Sequence, residues 1–240
     1  MKKITNVLVV VCLIIGVTII DGCKKEADGF GSVTDVDGNA YKTIAIGTQV
    51  WMAQNLKTTK LNNKTAILNV AENTDWANLT TPAYCWYNNE VVNKDTYGAL
   101  YNWFTIKTGK LCPTGWHAPT DEEYNKLALY LGMAEAQVNL WGWQGTDQGT
   151  QMKNTTGWTD AGGNGTNKSG FTALPGGYRQ ATLGTFSGIG TLTYFWSSTD
   201  DSINNKSGDA WYRRLDGVEK KIYKATTFKT GGKYIRCVQN

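Results

Sequence analysis

The one histidine of this 240-residue chain, His117, stands in the stretch LCPTGWHAPTDEEYNKLALYLG (111–132), after Cys112 and just before Asp121, Glu122 and Glu123. A histidine near a thiol and three carboxylates is the raw material of general-base or metal-assisted chemistry. Either would need more partners than the chain supplies. No second histidine exists to complete a zinc site, and a Ser/His/Asp hydrolase would rest on His117 alone, with no G-x-S-x-G turn to carry the nucleophile. The acidic residues have a fuller structural explanation. Thr120 and Glu123 have capping-box spacing, so each can satisfy a backbone N–H at a helix start, and first-turn carboxylates complement the positive end of the helix dipole. Tyr124, Leu127, Ala128 and Leu131 recur at i, i+3, i+4 and i+7, giving one apolar face, and Gly132 suits the left-handed stop. The stretch reads as a stapled loop followed by a helix, with His117 as a loop residue bonded to backbone. No residue is assigned as catalytic.

The elements that hold this stretch begin after a leader. Lys2 and Lys3 precede an apolar run from Val7 to Ile20, the layout of a secretory signal. Ile20-Asp21-Gly22-Cys23 resembles a bacterial lipobox, with Asp21 departing from the usual small or apolar residue. Residues 1–22 are therefore read as a lipoprotein signal peptide, Cys23 as the lipidation site and 23–31 as a flexible spacer. Residues 32–240 are read as one domain. The expected place is the cell envelope, anchored by lipid to the outer membrane, with the face unspecified. Cys85, Cys112 and Cys237 remain, enough for one disulfide and one leftover thiol. The sequence does not choose the pair. Cys112 with Cys237 is favoured, since each adjoins a well-defined element and the bridge would tie the middle of the domain to its last strand. Cys85, between Tyr84 and Trp86 with no basic residue nearby, reads as a buried thiol.

Formal charge is +4, falling to +3 without Lys2, Lys3 and Asp21, and no basic run exceeds two residues, which argues against a nucleic-acid partner. Frequent Gly, Asn and Thr predict short strands between turns. Residues 33–61 read as two or three strands, with turns at Asp37-Gly38 and Gly47, Val50 and Met52 on one face and Trp51 on the other. Asp35-x-Asp37 is a tight turn and not an EF-hand, lacking both the glycine at the sixth position and the glutamate at the twelfth. The spacing predicts a helix within 96–109, with Leu100, Phe104 and Tyr97 inward, and another from near Ala134. Residues 134–170 otherwise form a long polar loop region carrying Trp141, Trp143 and Trp158, and strands return after Gly170.

Eight collinear segments, among them DVDGNAYKTIAIGTQVWMAQNLKTT, YCWYNN, YGALYNWFT, LCPTGWHAPTDEEYNKLALYLG, GFTALPGGYR and YIRCV, resemble the Fibrobacter succinogenes major paralogous domain. The resemblance implies an α+β, C-type-lectin-like mixed fold of short strands, two helices and a long loop region, closed by a Cys112–Cys237 disulfide. Some members carry a second cysteine shortly before the YG; Asn93 to Thr96 stand there in this chain, so the resemblance leaves Cys85 unpaired. It implies no assigned reaction.

The expected function is non-catalytic recognition of glycan or another surface ligand. Rings stack on sugar faces and amides bond hydroxyls, and Trp141, Trp143, Trp158, Asn164 and Asn167 supply both. Calcium-dependent lectins of this fold use Glu-Pro-Asn or Gln-Pro-Asp, and neither occurs. Asp200, Asp201 and Asp209 are the set that could gather Ca²⁺, with an exposed polar turn as the competing reading; no other cofactor or metal is expected. The alternatives are an adhesive subunit that binds a surface protein, or a glycan-active enzyme using a carboxylate pair without a local motif.

Overall fold

The computed structural model describes residues 30–160, 162–201 and 208–240; the leader, Cys23 and the spacer as far as residue 29 lie outside them. Strands β1 (Phe30–Thr34), β2 (Ala40–Ile46) and β3 (Gln49–Met52) form an antiparallel meander. Its first turn is built by Asp35, whose carboxylate accepts the N–H groups of Asp37 and Asn39 at 2.9 and 3.0 Å, while Gly38 takes φ 84°. The Asp35 oxygens also accept the Asn39 amide and the Tyr41 hydroxyl. Protein donors thus occupy the oxygens a calcium ion would need. Adjacent residues of β3 point to opposite sides: Trp51 packs with Tyr124 and Phe171 in one core, and Met52 joins Tyr41, Ile235 and Cys237 in a second.

The chain continues through β4 (Leu68–Asn69), α1 (Asn73–Ala77), β5 (Ala83–Cys85), α2 (Asn93–Tyr97), β6 (Leu100–Tyr101) and α3 (Trp103–Lys107). The single helix expected over 96–109 is therefore interrupted by a strand. Gly98 takes φ 81° with Asn55 Cβ and the Leu56 carbonyl only 2.8 Å from where a Cβ would stand, and Leu100 leaves helical conformation to pair with Cys85. Leu100 is buried as expected, but Tyr97 and Phe104 are only half-buried, and α3 instead buries Trp103, Thr105 and Ile106.

Next come β7 (Trp116–His117), α4 (Asp121–Tyr130), β8 (Gly142–Gln144) and α5 (Gln148–Met152). Helix α4 has the expected capping box and buries Tyr124, Leu127 and Ala128. It alone among the described helices exceeds five residues, so the fold has one substantial helix and four short ones in place of two. No helix starts near Ala134. Residues 135–139 form turns, ended by the β8 glycine, Gly142, at φ 80°.

The remaining strands are β9 (Gly176–Arg179), β10 (Phe186–Ile189), β11 (Leu192–Asp200), β12 (Asp209–Asp216), β13 (Ile222–Phe228) and β14 (Val238–Gln239). Three sheets result, ordered β1-β2-β3-β14-β7, β10-β9-β11-β12-β13-β8 and β4-β5-β6, a mixed α+β fold. The last strand returns between β3 and β7, and Cys237 beside it is bonded to Cys112. That bridge matches the expected pair and closes a span of 125 residues. Cys85 is a free, fully buried thiol, its pKa pushed up to about 12 by burial, with Arg179 pulling the other way. Among the described residues no helix is long and apolar enough to cross a membrane.

Candidate functional site: an aromatic stripe on the six-stranded sheet

Strand alternation sorts the six-stranded sheet into two chemically different faces. Register sets Phe195 opposite Arg213 and Arg213 opposite Lys224 on one face, where Leu215 and Ile222 also point into the first core. Helix α4 docks there through Asp121, whose two oxygens meet Arg213 Nη1 and Lys224 Nζ, each at 2.7 Å. Arg213 Nη2 also donates to Asn125 Oδ1 at 2.9 Å. Burial lowers the pKa of both cations, and Asp121 opposes that shift.

On the opposite face the same register aligns Tyr194 with Arg214, Arg214 with Tyr223, and Tyr223 with Trp143. Tyr178 of β9 lies against Tyr194 with ring centroids 4.3 Å apart; Tyr194 and Tyr212 are 5.3 Å apart, Tyr212 and Tyr223 6.3 Å, and Tyr223 and Trp143 5.0 Å. The rings form a continuous stripe across five strands, about 19 Å at ordinary strand spacing. Arg214 lies over Trp143, Tyr223 and Tyr194 at 5.2 to 5.8 Å and is held by Asp216. At the Trp196 end the stripe passes under cover, because Trp196 Nε1 donates to the Tyr101 carbonyl and Trp103 Nε1 to that of Ser197. At the other end Tyr178, Tyr212, Arg214, Tyr223 and Trp143 are half-buried, with Tyr194 between them nearly buried. Burial pushes the Tyr194 phenol up to about 12, and that of Tyr212 higher still with help from the Tyr194 and Tyr223 phenols. These hydroxyls are therefore protonated donors at neutral pH.

Lys233 lies beneath this surface, buried, its Nζ 4.2 Å from the Trp196 ring centroid, 5.0 Å from that of Tyr212 and 5.4 Å from that of Tyr194. Burial alone pulls its pKa down to about 7. The π faces around it act in the opposite sense, favouring the ammonium form.

The residues expected from sequence are dispersed by the fold. Trp143 belongs to the stripe. Trp141, 52% exposed, pairs instead with Trp211 at 4.5 Å, backed by Lys224. Trp158 is 4% exposed and donates through Nε1 to the Ala173 carbonyl, so it is a core ring with no face for a ligand. Asn164 accepts the Trp158 N–H at 3.0 Å, and Asn167, at φ 49°, accepts that of Thr172 at 2.8 Å; both oxygens fasten the loop. Asn167 also borders an open cleft beside Tyr130. Asp200 faces Lys229 at 3.8 Å, while Asp201 is buried and its N–H donates to the Asp209 carbonyl. Among the described residues no three His, Cys, Asp or Glu side chains gather as a metal site.

His117 is bonded to side chains, where backbone partners were expected. Its Nδ1 lies 2.7 Å from Asn240 Oδ1 and its Nε2 2.8 Å from Glu123 Oε1. Glu123 Oε2 meanwhile accepts the Thr120 N–H at 2.8 Å. The histidine thus braces the chain end against the helix cap.

Tyr178, Tyr194, Tyr212 and Tyr223 were not singled out by sequence. Each run carries its own ring, Tyr194 in LTYFWSSTD, Tyr212 in DAWYRRLD and Tyr223 in IYKATTF, but nothing local says that the three runs lie side by side. No curated protein and no solved structure matches the chain. The family description for the Fibrobacter succinogenes major domain matches residues 44–239, taking in β3, the capped helix, every strand of the stripe and the disulfide; the chain belongs to that family.

Proposed function

We propose that the chain is a lipid-anchored envelope protein whose domain recognises glycan without transforming it, and that the glycan lies along the stripe formed by Tyr178, Tyr194, Tyr212, Tyr223 and Trp143. The stripe is the observation that carries this reading. Its rings offer stacking faces, its protonated phenols and Arg214 offer hydrogen-bond donors, and its length suits an oligosaccharide of a few residues. A C-type-lectin-like arrangement belongs to the same reading. It is supported by a last strand that returns beside β3, a disulfide from the residue just before that strand to the middle of the chain, and a long loop region after β8. Anchoring through Cys23 and an outer-membrane location rest on the lipobox resemblance.

A glycan array probed with the purified protein tests the proposal. Binding of at least one oligosaccharide class is expected, weakened about fivefold by Trp143→Ala or Tyr223→Ala, the loss of roughly one stacking contact each. Trp141→Ala is expected to leave it unchanged. Absence of binding, or loss with Trp141→Ala alone, would overturn the assignment. Turnover of a bound glycan would overturn its non-catalytic part.

A further inference from the structure

A cleft of about 370 Å³ opens away from the stripe, between β2, the segment 53–57 that follows β3, and the turn at Thr172, and reaches α2. That volume lies within the ordinary range for small-molecule sites. Its charged lining is unbalanced: Lys42, Lys57 and Arg236 border it against one carboxylate, Asp95.

Arg236 is the unusual member. It is 1% exposed, yet no Asp or Glu pairs with it among the described residues. Its partners are neutral: Nε donates to Asn55 Oδ1 at 2.6 Å, Nη1 to the carbonyls of Phe171 and Met52, and Nη2 to that of Thr172 at 3.1 Å. Those four acceptors leave one Nη2 N–H over, and both Asn55 and Thr172 border the cleft. Burial pulls the Arg236 pKa down to about 9, the response of a cation with no counter-charge. Of the other two buried arginines, Arg213 has Asp121 at 2.7 Å, whereas Arg179 also donates only to carbonyls and an amide; Arg236 differs from Arg179 in lining the cleft. A buried guanidinium without an anion is costly, and an anion arriving from outside recovers much of that cost. Lys57 is already held at the cleft by Asp95 at 2.8 Å. The uncharged lining adds amides from Gln54, Asn55 and Asn154, suited to hydroxyls, and an apolar wall from Ala53 and Leu174.

We infer that this cleft binds a small carboxylate-bearing polyol of monosaccharide size, an acidic sugar, with Arg236 and Lys57 facing its carboxylate and the amides its hydroxyls. The site is separate from the stripe and does not depend on the function proposed for it.

Titration calorimetry of the purified full chain with D-glucuronate, D-glucose and acetate tests the inference. Glucuronate is expected to bind at least about tenfold more tightly than either control, since glucose lacks the charge and acetate the hydroxyls. Lys57→Met should weaken glucuronate about tenfold, and Asp95→Asn should tighten it about threefold by removing the competing carboxylate. The Asp95 side chain is 82% exposed, so that variant tests the site without risk to the fold. Equal binding of glucose removes the charge argument, equal binding of acetate removes the sugar, and no heat with glucuronate at about 10 mM, a range that would register even millimolar affinity, removes the site. Weakening by Asp95→Asn would equally overturn the inference.

Discussion

Replacing Asp121 by Asn separates two roles for the acidic start of α4. If Asp121 only complemented the helix dipole, its loss would cost about 0.3–1 kcal/mol. The structure gives it a larger task, because its oxygens lie 2.7 Å from Arg213 and Lys224, whose side chains are 4% and 3% exposed. Neutralising Asp121 leaves two buried cations facing each other across an uncharged amide, and breaking a buried pair in this way costs about 3–5 kcal/mol. Lys224 can shed part of that cost by losing its proton, so about 3 kcal/mol is expected near neutral pH. The assay is urea unfolding followed by tryptophan fluorescence, comparing midpoints at unchanged slope. A second substitution sharpens it: Lys224→Met added to Asp121→Asn should recover more than half of the loss, since only Arg213 then remains unpaired. A loss below about 1 kcal/mol, or no recovery in the double variant, would refute the claim that this triad seats the helix and leaves the stripe as the uncovered face.

The disulfide closes 125 residues, for which chain entropy gives about 5 kcal/mol, so Cys112→Ser/Cys237→Ser should lower the unfolding free energy by several kcal/mol, while equal stability with and without reductant would contradict it. Lys233, at about 7 folded against 10.5 for an ordinary lysine, holds fewer protons in the folded than the unfolded state between those values; stability should therefore rise as pH goes from about 7 towards 10. The shift corresponds to at most about 5 kcal/mol, and Lys233→Met should flatten that rise in denaturation curves taken across the range. Asp37 is held at about 2: burial raises its pKa but is outweighed by Lys60 and the Thr59 and Thr58 hydrogen bonds. Its contribution is thus present above pH 3.8 and lost as pH falls through about 2, and Asp37→Asn should remove that part of the acid transition.

Local patterns proved readable where the physics is local. The meander turns at Gly38 and Gly47, the Thr120–Glu123 box and the apolar face of α4 are each set by residues a few positions apart. The helix expected across 96–109 failed because Gly98 packs against Asn55 and Leu100 pairs with Cys85, contacts made far along the chain. The stripe was hidden for the same reason. Trp143 was visible as one ring in a polar loop region, but its neighbours Tyr223, Tyr212 and Tyr194 belong to it only through sheet register. Trp158 shows the converse, an indole in a Gly- and Asn-rich stretch that the fold turns inward to bond Ala173.

The most direct test of the stripe is to watch the indole N–H resonances of the protein while an oligosaccharide selected on the array is added. The account predicts that the Trp143 signal shifts in a saturable way while those of Trp158 and Trp141 stay in place. A ligand that moves Trp141 or the loop amides of Asn164 and Asn167, and leaves Trp143 untouched, would contradict it.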